Sequence, residues 1–252
     1  MNIQLDDGLQ FGLGVFETIR IRSGQPEFLD WHIERMNQSL QALHIPQEVS
    51  AEEAAAWLKQ QKELKHSDEN RHDEMKAMKI LVTEKNKLMM LRSNPYTPER
   101  IRQGFCLDYS AVIRNETSPL VYHKTLNYGD NILEKRRTSS LPVDERIFLN
   151  TRGELTEGST TNIFFVFDGR LVTPTVSCGL LNGIMRRFVL ENFPCKETVL
   201  YPEDVLQADE CFVTNSLMGI MPVKMLAGTE FPSAEITNEI LYKYQMKSYC
   251  ER

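Results

Sequence analysis

The stretch LVYHKTLNYGDN, Leu120 to Asn131, sets one lysine among aromatic, apolar and small polar residues, in a chain whose other lysines mostly sit in charged runs. Strand-like residues lie just upstream of Lys124 and a helix is predicted from about Tyr128, so the lysine falls at a boundary between elements. Flanked by Tyr122, His123 and Tyr128, its ammonium is open to desolvation, which favours the neutral, nucleophilic amine. A lone lysine is otherwise an exposed loop charge in most proteins. Lys124 therefore gains meaning only from what the rest of the chain carries.

Outward from that stretch, strands and helices alternate. GVFETIRIRSGQPEFL reads as a hairpin around Ser23-Gly24. Leu29, Ile33, Met36, Leu40 and Leu43 recur at helical spacing behind Asp30, a candidate cap. Ser50 and Glu53 form a capping box before AEEAAAWLKQQKEL, and HSDENRHDE follows as a polar, exposed loop. MKILVTEKNKLMMLRS predicts two strands and a tight charged turn, and GFCLDYSAVIR a third strand. The polar NETSP, Asn115 to Pro119, is the best linker.

Beyond it are predicted a helix from about Tyr128 to Ser139 and the strands ERIFLN and ELTEGSTTNIFFVF. A hairpin at Asp168-Gly169 leads into RLVTP. A helix after LLNG, a short one near Pro202, the strand ECFVTN and a closing helix over SAEITNEILYKYQ complete the pattern. The methionine-rich LMGIMPVKML and KLMML read as core strands. The fold class is mixed α/β, with a small N-terminal domain over 1–114, a linker over 115–119 and a larger C-terminal domain over 120–252.

Composition narrows the function. The 252 residues carry a formal net charge of -6, and no clustered basic face is present to hold a nucleic acid. The five cysteines, Cys106, Cys178, Cys195, Cys211 and Cys250, are odd in number and contain no CxxC pair, which fits reduced thiols in a cytoplasm and no metal site. No apolar run approaches the roughly 20 residues that span a bilayer. A soluble, cytoplasmic protein acting on a small molecule is expected.

Lys124 has company 33 residues on, in TEGSTTNIFFV, where Glu157 precedes a run of small polar residues and an apolar strand. Such an acid is usually solvent-facing, but this position also suits a carboxylate at the mouth of a site. In LLNGIMRRF a glycine enters a helix, leaving the Ile184 and Met185 amides as donors at its positive end. VTNSLMGIMPV offers Thr214, Asn215 and Ser216 straight after a strand. Each segment alone is equally a helix cap or a polar turn. Together, a reactive lysine, a carboxylate and two anion cradles are the inventory for pyridoxal phosphate, which needs a lysine for its aldehyde, an acid for its ring nitrogen and donors for its phosphate.

The ordered motifs FGLGVFETIR, WHIERM, HKTLNY, LTEGSTTNIFFV, GLLNGIMR and TNSLMGIMPV resemble the class IV pyridoxal-phosphate enzymes of fold type IV, which include branched-chain and D-amino acid aminotransferases and 4-amino-4-deoxychorismate lyases. The resemblance implies a D-amino acid aminotransferase-like chain of two domains, with the cofactor in the cleft between them, and a homodimer. By position it makes Lys124 the Schiff-base lysine and catalytic base, Glu157 the partner of the pyridine nitrogen and Arg35 the phosphate-binding arginine. It makes Ile184 and Met185 backbone phosphate donors and Ser216 a phosphate-contacting hydroxyl, with Asn215 beside it. Tyr128 and Asn162 line the cofactor.

HKTLNY and TNSLMGIMPV are most similar to the lyases, implying conversion of 4-amino-4-deoxychorismate to 4-aminobenzoate and pyruvate on the way to folate. The alternative is an aminotransferase for branched-chain or D-amino acids. The small-domain loop reads TEKNK where many members keep a substrate arginine, which leaves Lys85, Lys87 and Arg92 as candidates for gripping substrate carboxylates.

Overall fold

The computed structural model describes residues 2–61 and 76–250, and the chain divides into one unit of Met1–Thr97 with His123–Tyr128 and another of Pro98–Tyr122 with Gly129–Arg252. The first unit opens with α1 (Asp7–Phe11), whose Asp6 cap accepts from the Leu9 amide. Strand β1 (Val15–Arg22) turns through Ser23 and Gly24, at φ 50° and 78°, into β2 (Gln25–Pro26). Two left-handed residues match the twist of a hairpin, as the Ser-Gly pair predicted.

Helix α2 (Leu29–Ala42) starts after Phe28, which gives no side-chain cap; Asp30 lies inside the first turn, where it favours the helix dipole without capping. Helix α3 (Ala51–Lys59) is capped by Ser50, which accepts from the Glu53 amide at 3.0 Å, but the Glu53 carboxylate goes to Lys87 and does not close the expected box. The loop expected at HSDENRHDE lies outside the described residues.

Strands β3 (Lys76–Val82) and β4 (Lys87–Ser93) complete a four-stranded sheet in the order β2-β1-β3-β4. Its core is Val15, Ile19, Met78, Ile80 and Val82, under Ile33, Met36 and Leu40 of α2 and Ala54 and Leu58 of α3. β4 is an edge strand with Met90 41% exposed, so KLMML is half-covered and not the core strand expected. The segment from Lys124 to Leu126 joins the far edge of β1: Phe16 N donates to Lys124 O at 2.9 Å and Leu126 N to Gly14 O at 2.8 Å.

The second unit comprises α4 (Pro98–Gln103), β5 (Phe105–Arg114), α5 (Gly129–Arg137), β6 (Glu145–Asn150), β7 (Leu155–Gly158), β8 (Asn162–Phe167) and β9 (Arg170–Pro174). It continues with α6 (Ile184–Asn192), β10 (Cys195–Thr198), α7 (Pro202–Val205), β11 (Glu210–Asn215), β12 (Gly219–Leu226), β13 (Thr229–Glu230) and α8 (Glu235–Cys250). The strands form a nine-stranded sheet in the order β10-β9-β8-β11-β12-β5-β6-β7, with β13 on β12. β12 is central and buries Ile220, Met221, Val223 and Leu226, as its methionine-rich sequence predicted. The sequence reading placed the boundary at 115–119; the structure draws it elsewhere, because β5 pairs in parallel with β6 and β12 and so belongs to the larger sheet. Residues 123–128 then return to the first unit through their pairing with β1. Among the described residues no helix is long and apolar enough to cross a membrane.

Candidate active site

In the first unit, the two-residue period of β1 sends Val15 and Glu17 to the helix-covered face and Phe16 and Thr18 to the other. Lys124 takes the second face: its Nζ stands 4.5 Å from the Phe16 ring centre and 4.9 Å from that of Tyr128, whose ring meets Phe16 edge-on at 5.2 Å. Of the rings expected from sequence, Tyr128 stands beside Lys124, joined by Phe16, while His123 Nδ1 lies 3.0 Å from Ser39 Oγ and the Tyr122 hydroxyl donates to Glu116 O at 2.7 Å. Cross-strand pairs share a face, so Thr18 opposite Lys79, Lys79 opposite Met90, and Arg92 two residues beyond Met90 all lie on Phe16's side. Lys79 Nζ is 4.7 Å from the Phe16 ring centre, and burial, then the charge of Arg92, lowers its pKa.

Lys87 lies opposite Val82 on the core face, where its ammonium meets Glu53 at 3.0 Å and donates to Glu48 O at 2.8 Å. Lys85 is exposed and donates to Leu5 O at 3.4 Å. Of the three cations read from sequence, only Arg92 shares the face of Lys124. Lys79 was missed; its signal was a lysine inside the apolar strand KAMKILV, a weak one because long side chains often snorkel from strands.

On the core face Glu17 is 1% exposed and holds Arg35 at two points, Nε to Oε1 and Nη2 to Oε2, both at 2.7 Å. His32 Nδ1 lies 2.6 Å from Glu17 Oε2, and its buried Nε2 has no partner among the described residues. Burial raises the Glu17 pKa, but Arg35 and His32 outweigh it and hold the carboxyl far below its usual range. Burial also lowers the His32 pKa against the pull of Glu17, so a neutral ring donating from Nδ1 fits the geometry.

In the second unit, Glu157 lies one residue before the end of β7, with its side chain 10% exposed. Arg114 Nη2 lies 3.2 Å from Oε1 and the Leu181 amide donates to Oε2 at 3.1 Å, two positive groups that stabilise the charged carboxylate. Arg114 itself is set by the Phe148 ring at 4.1 Å and by Asn131 Oδ1 at 3.2 Å. Sequence reading missed Arg114, whose only mark is a charge at the end of a strand. Asn162, at the start of β8, donates to Leu181 O at 2.8 Å and lies 3.5 Å from Glu157 Oε2.

Helix α6, carrying Ile184 and Met185 in its first turn, follows Gly183, which supplies no side-chain cap. A Cβ at Gly183 would stand 2.0 Å from Asn162 Oδ1, so only glycine fits this approach. The hydroxyls of Thr161 and Thr214 are buried and without partners among the described residues. Asn215 Oδ1 accepts from the Leu217 and Met218 amides at 2.9 Å, fixing the turn that carries half-buried Ser216. An uncapped helix start, two orphaned hydroxyls and a stabilised carboxylate fit the donor and acceptor needs of pyridoxal phosphate.

The family model for amino-transferase class IV matches residues 14–226. An aminodeoxychorismate lyase of Bacillus subtilis is 31% identical, with 96% of this chain and 89% of that protein covered. A D-alanine aminotransferase of Bacillus licheniformis is 28% identical over 88% of this chain and 82% of that protein. A solved structure from Legionella pneumophila, provisionally named a 4-amino-4-deoxychorismate lyase, superposes with a TM-score of 0.83 at 26% identity, covering 98% of this chain and 95% of its own. The chain therefore belongs to the class IV aminotransferase family and has its fold type IV architecture, and it is a pyridoxal-phosphate-dependent lyase or aminotransferase.

Proposed function

We propose that the protein is a lyase converting 4-amino-4-deoxychorismate to 4-aminobenzoate and pyruvate. The observation that carries this reading is the 31% identity to a lyase over 96% of the chain, with the lyase-like HKTLNY and TNSLMGIMPV motifs in support. Pyridoxal phosphate, when bound, supplies an aldehyde for the substrate amine and a ring that accepts electrons from the adjacent carbon. Lys124 would hold that aldehyde, and its Nζ, when free, would serve as the base that takes the proton from the carbon bearing the substrate amine. The Phe16 and Tyr128 rings confine the Lys124 side chain near 4.5 and 4.9 Å, limiting the positions from which Nζ reaches that proton.

Glu157 would partner the ring nitrogen, and Arg114 and the Leu181 amide hold its two oxygens in place. Arg35, the Ile184 and Met185 amides and Ser216, with Asn215 shaping the turn, hold the phosphate, and Tyr128 and Asn162 line the ring. Arg92 and Lys79 are assigned to a substrate carboxylate because they share the face of Phe16 with Lys124. We place the enzyme in the cytoplasm as a homodimer; the four free cysteines described and exposed Leu5, Leu9 and Phe11 support these two points.

The test is to supply enzymatically generated aminodeoxychorismate to the pyridoxal-phosphate-loaded protein and follow 4-aminobenzoate fluorescence, beside Lys124→Ala. Product from the wild type alone supports the lyase. Absence of product from loaded wild type removes it in favour of the aminotransferase reading, which the 28% identity to a D-alanine aminotransferase favours and which an amino-donor screen with 2-oxoglutarate and pyruvate then decides.

A further inference from the structure

The buried Glu17 has no part in the chemistry above, yet it lies 1% exposed in an otherwise apolar row with Val15, Ile19 and Ile21. A carboxylate there is costly unless it has a task that a hydrophobic residue cannot do. Its two oxygens are taken up by Arg35 Nε, Arg35 Nη2 and His32 Nδ1, at 2.7, 2.7 and 2.6 Å. A two-point fork of this kind fixes both the place and the plane of a guanidinium. The Arg35 side chain stays 13% exposed, so the group so fixed is still within reach of a ligand. The His32 ring is 1% exposed and its Nε2 has no partner among the described residues, which fits a site better than packing alone.

We infer that Glu17 is a positioning residue, which orients Arg35 toward the phosphate monoester of the ligand and is itself steadied by His32. The inference rests on Arg35 as the phosphate arginine, as proposed above. It carries a sign that simple electrostatics reverses. Glu17 is an anion beside the phosphate arginine, so if it acted only through charge, neutralising it would tighten binding of an anionic ligand. If it acts by orientation, neutralising it releases the fork and weakens binding.

The experiment measures the dissociation constants of pyridoxal phosphate and of pyridoxal, which lacks the phosphate, by cofactor absorbance and protein fluorescence. The proteins are the wild type, Glu17→Gln, Glu17→Asp and Arg35→Ala. The expected result is that Glu17→Gln binds pyridoxal phosphate about tenfold more weakly, roughly what the loss of one charge-assisted hydrogen bond costs, with pyridoxal affinity unchanged. Glu17→Asp keeps the charge, retracts the carboxylate and shifts binding in the same direction; it also answers the question if the glutamine variant does not fold.

Tighter or unchanged binding of pyridoxal phosphate overturns the inference, and so does equal weakening of both ligands, which marks a purely structural role. Arg35→Ala separates the two levels. If it leaves the preference for the phosphorylated ligand intact, the assignment of Arg35 falls; if it abolishes that preference while both Glu17 variants keep it, only the positioning role falls.

Discussion

In the four-stranded sheet, β1 sends Val15, Glu17, Ile19 and Ile21 to the helix-covered face and Phe16 and Thr18 to the other; in the nine-stranded sheet, β8 is buried without interruption from Asn162 to Val166. A strand covered on one side has polar positions to spare along its whole length, whereas one covered on both sides has them only at its ends. The proposed site residues are placed differently in the two sheets. Glu17 interrupts an apolar row in mid-strand, but Glu157 lies one residue before the end of β7, Asn162 starts β8 and Thr214 and Asn215 end β11. A proposed site residue is therefore found in the first unit as a break in an apolar row, and in the second near the polar edge of an apolar run.

The comparison is broken most severely at Lys124. Lys124→Ala is expected to lower turnover by about 10³-fold or more, as loss of a positioned base does, while thermal unfolding barely changes because the lysine is only half-buried; steady-state rates and melting curves check both. Phe212→Ala is the counterpart in the second unit. Its ring is fully buried and stacked on Phe164 at 4.8 Å, so its removal is expected to cost about 3–5 kcal/mol in denaturant unfolding.

Glu157→Gln comes next, with turnover lowered about 10²-fold and pyridoxal phosphate still bound, read by absorbance and rates on one sample. The neutral side chain still bonds the Leu181 amide but no longer answers the charge of Arg114.

Acid sharpens the picture of how the second unit is tied at its edges. Burial raises the Glu210 pKa, but the Thr237 hydroxyl and amide and the Ile236 amide, at 2.7, 2.8 and 3.0 Å, outweigh it and hold the carboxyl below its usual 4.5. The folded group thus stays ionised where the unfolded one takes up a proton, so its contribution is complete above 4.5 and is lost as pH falls through the folded value. Melting temperature is expected to drop with pH in that window, and less steeply in Glu210→Gln. The smallest effect is at Ser50, where Ser50→Ala removes the cap on α3 and is expected to cost about 1 kcal/mol of stability.

Much of this was legible in advance. Ser23-Gly24 and Asp168-Gly169 turned as hairpins, the latter at φ 47° and 73°, because tight turns are decided by a pair of adjacent residues. The placement of Lys124 beside Tyr128 was legible for the same reason, since the two are close in sequence. The division of the chain was not, because the pairing of β5 with β6 and β12 depends on partners up to a hundred or so residues away. Glu17, Lys79 and Arg114 escaped for a related reason. Each has a meaning only through a partner on another element: Arg35, Phe16 and Glu157 respectively.

The most direct test of the central claim, that Lys124 carries the cofactor, is to treat the pyridoxal-phosphate-loaded protein with sodium borohydride and locate the label by peptide mass spectrometry. One labelled peptide is expected, modified at Lys124. A label on Lys79 or any other lysine, with Lys124 unmodified, would contradict it.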